Sequence, residues 1–209
     1  MSERTDEALK ALQTVAEEVK RCQRCGLGKT RFKAVPGEGP ADARIMFIGE
    51  APGYHENQQG RPFVGQAGKL LEDLLASIGL KREEVFIANV IKCRPAANRD
   101  PLPAEIQACA AFLDRQIEAI KPKIIVTLGR YSMARYFPGQ TISRIHGAPK
   151  KGNGVVYYPV YHPAAALHQP SLRQALEIDF RKIPEIIDSL QPYESAEPES
   201  LPMEQMKLL

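Results

Sequence analysis

Apolar residues recur along this chain at helical and at strand spacing, and the two patterns alternate. Leu9, Leu12, Val15, Ala16 and Val19 share one face of a predicted helix over residues 2–21, which delivers Cys22 at its end. Ile45 to Ile48 is an unbroken apolar run stopped by glycine, as in a strand buried on both faces. Leu70, Leu71, Leu74, Leu75 and Ile78 predict a helix over 66–78, and 85–91 reads as a second strand. A helix over 103–120 carries proline in its first turn and places Cys109 two turns in. A third strand over 124–128 leads into a short helix over 129–137; a fourth strand spans 155–161, and a last amphipathic helix 171–190.

Strands separated by helices imply a parallel sheet covered on both faces, with right-handed crossovers that gather every strand's C-terminal end on one rim. Ligand chemistry collects on such a rim. The residues to read are therefore 49–53, Asn89, Gly129-Arg130 and His162-Pro163-Ala164.

With 44% of its 209 residues hydrophobic, the chain can bury one substantial core within positions 1–190, whereas 191–209 turn to Glu, Ser and Pro and are expected to form a disordered acidic tail. No apolar run approaches the ~20 residues of a membrane helix, so a soluble protein is expected. The net charge of +3 hides an asymmetry, because residues 121–153 contain Lys and Arg but no acid. Such a field suits a polyanion such as nucleic acid; a solvated basic face is the alternative.

Cys22, Cys25, Cys93 and Cys109 are the whole thiol inventory and make one tetrathiolate set, suited to an iron-sulfur cluster or a structural zinc. Two disulfides are the rival reading, disfavoured where a cytosolic thiol pool keeps sulfur reduced. Glu50 stands in a Gly-Glu-Ala-Pro-Gly turn that presents backbone N–H groups beside one carboxylate. Phe63, between rigid neighbours in a loop, is either core or a platform for a base. Asn89 at a strand end offers a donor and an acceptor, the complement of a uracil edge, or else caps structure. His162 follows the fourth strand, where packing is the alternative to catalysis.

The combination of Cys22-x2-Cys25, residues 49–53 (GEAPG), 60–65 (GRPFVG), 89–95 (NVIKCRP), Cys109 and 161–164 (YHPA) resembles the family 4 uracil-DNA glycosylases. The resemblance implies an α/β fold, a three-layer α/β/α sandwich around a four-stranded parallel sheet. It also implies a 4Fe-4S cluster on the four cysteines and removal of uracil from single- or double-stranded DNA to begin base excision repair. Phe63 would stack on flipped uracil and Asn89 would bond its edge, above the turn of Gly49, Glu50 and Ala51. Glu50 would serve the attacking water, His162 the charge on uracil O2, and Glu56 would block a thymine methyl. A related branch traps the sugar on a histidine in the loop of His146, but with glutamine where this chain has Ala51. His146 is therefore read as DNA-facing or structural, beside Arg144, Lys150 and Lys151 as DNA contacts. Leu167 is a candidate wedge for the vacated stack or a core residue. Residues 205–209 (QMKLL) resemble clamp-docking peptides, with a frayed terminus as the alternative. A monomer acting in the cytoplasm at the nucleoid is expected.

Overall fold

The computed structural model describes residues 3–190. The expected acidic tail and its candidate clamp peptide lie outside the described residues. Helix α1 (Glu3–Arg21) and the single turn α2 (Leu27–Thr30) lead to strand β1 (Ile45–Gly49), followed by α3 (Tyr54–Gln59), α4 (Gln66–Ser77) and β2 (Phe86–Asn89). Then come α5 (Pro103–Ile120), β3 (Ile124–Leu128), the short α6 (Arg130–Ala134) and α7 (Ile142–Ile145), and the strands β4 (Lys150–Gly152) and β5 (Val155–Val160). Helices α8 (Pro163–Ala166), α9 (Pro170–Arg181) and α10 (Ile183–Asp188) close the described chain.

The sheet runs β2-β1-β3-β5-β4, the first four parallel. Alternation along the strands makes two cores. Met46, Ile48, Phe86, Ala88 and Ile125 face α1 and α5, whereas Ile45, Phe47, Ile87, Val126 and Tyr158 face α4, α9 and α10. Three layers result, as expected, with the site on the C-terminal rim of the sheet.

Five strands form the sheet rather than the expected four. Lys150–Gly152 pairs antiparallel with β5, Gly152 opposite Val155. Between them Asn153 and Gly154 both take positive φ (53° and 74°), the two-residue turn whose twist matches a hairpin. Two exposed lysines on this edge discourage further strand pairing. The last helix is also two, broken at Lys182, because Pro184 lacks the N–H that would bond Phe180 and its ring crowds that carbonyl. In α1 the buried stripe is Ala8, Leu12, Val15 and Val19, with Leu9 exposed.

Candidate active site

The loops after β1, β2 and β5 enclose a cleft of about 370 Å³ lined by Glu50, Ala51, Glu56, Phe63, Asn89 and His162, together with Pro95, Asn98 and Arg99. Six of the expected site residues thus meet in one place. Gly49 lies beneath them. A Cβ there would stand 2.4 Å from Asn89 Oδ1 and 2.7 Å from the Phe63 ring, so only glycine lets amide and ring approach each other.

Asn89 is 1% exposed, and among the described residues its Oδ1 has no hydrogen-bond partner. A buried orphan acceptor is costly unless a ligand donor completes it. Its main chain is held from behind, where the buried Lys92 donates from Nζ to Asn89 O (3.0 Å) and to Gln116 Oε1 (2.6 Å). Gln116 Nε2 in turn donates to Pro36 O at 2.8 Å. Burial draws the Lys92 ammonium down to about 8.

Phe63 takes φ 51°, a left-handed conformation unfavourable for an aromatic residue. Its loop is overdetermined from both sides. Arg82 donates to Phe63 O (2.9 Å) and to Pro62 O, and pairs with Glu38, which also holds Arg61. Glu56 Oε1 accepts from the N–H groups of Val64 (2.9 Å) and Gly65 (3.0 Å). Glu56 is therefore the fastening of this loop as well as a wall of the cleft.

The His162 ring lies 5.7 Å from that of Phe63, nearly parallel to it. His162 Nδ1 accepts the Ala164 N–H (3.1 Å), which leaves the proton of a neutral imidazole on Nε2. Burial pulls this histidine down to about 4, against a weaker opposing pull from Glu56. The site thus holds an uncharged N–H donor. Glu50 is raised, by burial first and by the Asp100 carboxylate second, with Arg130 opposing. Arg130 and Asp100 pair with each other beside it.

All four cysteines line a second, small cavity with Val19, Arg31, Lys92 and Phe112, and none is in a disulfide. The disulfide reading therefore finds no support in the fold. Three N–H groups already point at sulfur: Arg31 Nη1 donates to Cys93 (3.1 Å), the Lys92 backbone to Cys109 (3.3 Å) and the Arg24 backbone to Cys22 (3.5 Å). Among the described residues no three His, Cys, Asp or Glu side chains close on a point the size of one ion. Four thiols lining one cavity, three of them accepting N–H groups, are a donor set that a sulfur-held metal group would fit.

The remaining expected contacts stand outside the cleft. His146 Nδ1 meets Asp179 Oδ2 at 2.7 Å and its ring packs 4.5 Å from that of Tyr161. Leu167 packs against the α4 and α9 core. Arg144 is exposed on α7, while Lys150 and Lys151 lie on the outer edge strand, and Lys121 and Lys123 precede β3 at the opposite rim, so the basic stretch is not one surface. The wall formed by Pro95, Asn98 and Arg99 was not anticipated. Its signal was the pair of prolines, Pro95 and Pro101, that bracket a turn.

Among the described residues no helix is long and apolar enough to cross a membrane. Residues 36–183 match the family model of the uracil DNA glycosylase superfamily. The chain is 50% identical over 188 residues to the type-4 uracil-DNA glycosylase of Saccharolobus solfataricus, covering 85% of this chain and 87% of the relative. It is 47% identical over 193 residues to that of Archaeoglobus fulgidus, covering 88% and 97%. A type-5 uracil-DNA glycosylase of Pyrobaculum aerophilum is more distant, at 31% over 150 residues, covering 63% of this chain and 66% of the relative. By cleft, fold and descent, the chain belongs to the uracil-DNA glycosylase superfamily, on its type-4 branch.

Proposed function

We propose that this protein is a monofunctional uracil-DNA glycosylase, which takes uracil flipped out of DNA into the cleft and hydrolyses its N-glycosidic bond. The observation that carries the reading is the orphan Asn89 Oδ1 beside the Phe63 ring. Uracil N3–H completes that acceptor, and the amide N–H of Asn89 donates to O4. The base stacks on Phe63. Extrusion is required because the bond is sheltered within the base stack.

The glycosidic electron pair leaves C1′ with the base, and charge collects on O2, where His162 Nε2–H donates. The Glu50 carboxylate stabilises the oxocarbenium-like sugar and takes a proton from the water whose oxygen bonds C1′. The uracil anion then takes up a proton from solvent and Glu50 returns its proton to solvent, so the products are free uracil and an abasic site. Glu56, fixed by Val64 and Gly65, is the candidate block to a 5-methyl group. No lysine lines the cleft among the described residues, in keeping with hydrolysis alone.

Cys22, Cys25, Cys93 and Cys109 hold a 4Fe-4S cluster in this reading. When bound, it supplies metal-thiolate bonds that tie α1, the loop after β2 and α5 together. Arg144, His146 and Leu167 are the proposed contacts to DNA, with Lys150 and Lys151 supplying longer-range attraction. The protein acts as a monomer, and residues 205–209 dock a sliding clamp. Unchanged clamp binding after deletion of 205–209 would remove that last element.

Arg82 holds the stacking ring without touching the base. Arg82→Met is expected to slow uracil release by about 10–100-fold through misplacement of Phe63, and Arg82→Lys to recover part of it. The reading itself is tested by incubating the protein with an oligonucleotide bearing one uracil and then heating in alkali. A nick at the uracil position, absent from the thymine control, is expected; intact strands would refute the proposal.

A further inference from the structure

Between two walls of the cleft stands an aromatic and guanidinium pair that the proposed reaction leaves unused. Tyr54 is 54% exposed, immediately after Gly53 and two residues before Glu56, both of which line the cleft. The Arg94 guanidinium carbon lies 5.3 Å from the centre of the Tyr54 ring. Arg94 precedes Pro95, which lines the facing wall, and its Nε donates to Oδ1 of Asn98, another lining residue, at 2.7 Å. Ala97 and Asn98 take positive φ (51° and 54°) to present that acceptor. Two consecutive left-handed residues without glycine are unfavourable, so the turn is held in a defined shape by its surroundings.

The pair thus marks the edge of the cleft, with one member from each wall. Arg94 covers one part of the ring and the His55 ring packs edge-to-face with it at 5.4 Å between centroids, yet Tyr54 stays exposed enough to meet a further planar group. Only Nε of Arg94 is engaged by a side-chain acceptor among the described residues, which leaves the terminal nitrogens for an anion. An aromatic face beside a fixed cation is the combination that takes a nucleotide unit, base on ring and phosphate on guanidinium.

We propose that Tyr54 and Arg94 form a subsite for the nucleotide adjacent to the flipped uracil, its base stacking on Tyr54 and its phosphate bound by Arg94. The proposal rests on the reading of the cleft as a uracil pocket. Because stacking is tolerant of base identity, the subsite grips the strand without reading its sequence.

The test is steady-state uracil release from single-stranded uracil-containing oligonucleotides, with equilibrium binding of the same strands across a salt series. Tyr54→Leu is expected to raise KM and Kd about 10-fold while kcat changes far less, and Tyr54→Phe to restore wild-type values. Arg94→Gln is expected to flatten the slope of log Kd against log salt by about 1. Equal melting temperatures establish that the variants fold. Wild-type KM in Tyr54→Leu together with an unchanged salt slope in Arg94→Gln would overturn the subsite and leave the glycosylase reading standing. Wild-type protein that binds the strands but releases no uracil would overturn both.

Discussion

Replacing His162 by alanine is expected to slow uracil release by about 10²–10³, or ~3–4 kcal/mol of transition-state stabilisation, with KM little changed. The effect falls on kcat because negative charge reaches O2 only as the bond breaks. A neutral imidazole suits the task. With Nδ1 occupied by the Ala164 N–H and the ring drawn down to about 4 by burial, Nε2–H remains the donor from about pH 8 to about pH 5. The acid limb of the rate profile therefore belongs to Glu50. Its carboxyl is raised by burial and by Asp100, so falling pH protonates it, and removes activity, above the usual carboxylate range. Asp100→Asn takes away part of that upward push and is expected to move the limb to lower pH. An acid limb that stays in place in Asp100→Asn and disappears in His162→Ala would reverse the two assignments.

Cys93→Ala is expected to yield colourless protein with a melting temperature lower by on the order of 10 °C. Cys25 and Cys93 bracket a long loop of chain, and closing such a loop restricts the unfolded ensemble by about 4 kcal/mol. For a domain of this size each kcal/mol moves the midpoint by roughly 2–4 °C. Visible absorption and the melting curve read the effect independently of activity. A brown variant, or a colourless one that melts with the wild type, would contradict a scaffold role for the four thiols. The expected loss of activity is secondary: Lys92 and Cys93 lie in the loop that follows Asn89, and Lys92 holds the Asn89 carbonyl, so loosening this segment disturbs the recognition amide.

Much of this architecture is legible in the chain because fully buried parallel strands must be continuous apolar runs. Residues 45–48 and 124–128 announce themselves, and the rim residues follow from where those runs stop. The edge strand does not, since Lys150-Lys151-Gly152 buries nothing and carries no hydrophobic period. Its signal was the Asn153-Gly154 turn. The break before α10 was likewise written in Pro184, but an amphipathic pattern running across it masked the proline. At the site, Glu50, Asn89 and His162 stand at or just past the C-terminal ends of β1, β2 and β5, so topology brings them together, and the loop between α3 and α4 carries Phe63 in beside them. Arg82 and Lys92 could not be found that way. Their roles depend on contacts to distant segments, Arg82 with Glu38 and Pro62 and Lys92 with Gln116, and a long basic side chain looks the same in sequence whether solvated or buried.

The most direct measurement is a crystal structure of the protein grown with free uracil. The base should lie against Phe63 with N3 about 2.9 Å from Asn89 Oδ1 and O2 facing His162 Nε2. Uracil bound elsewhere, or a cleft in which Asn89 Oδ1 stays unpaired at saturating uracil, would contradict the account.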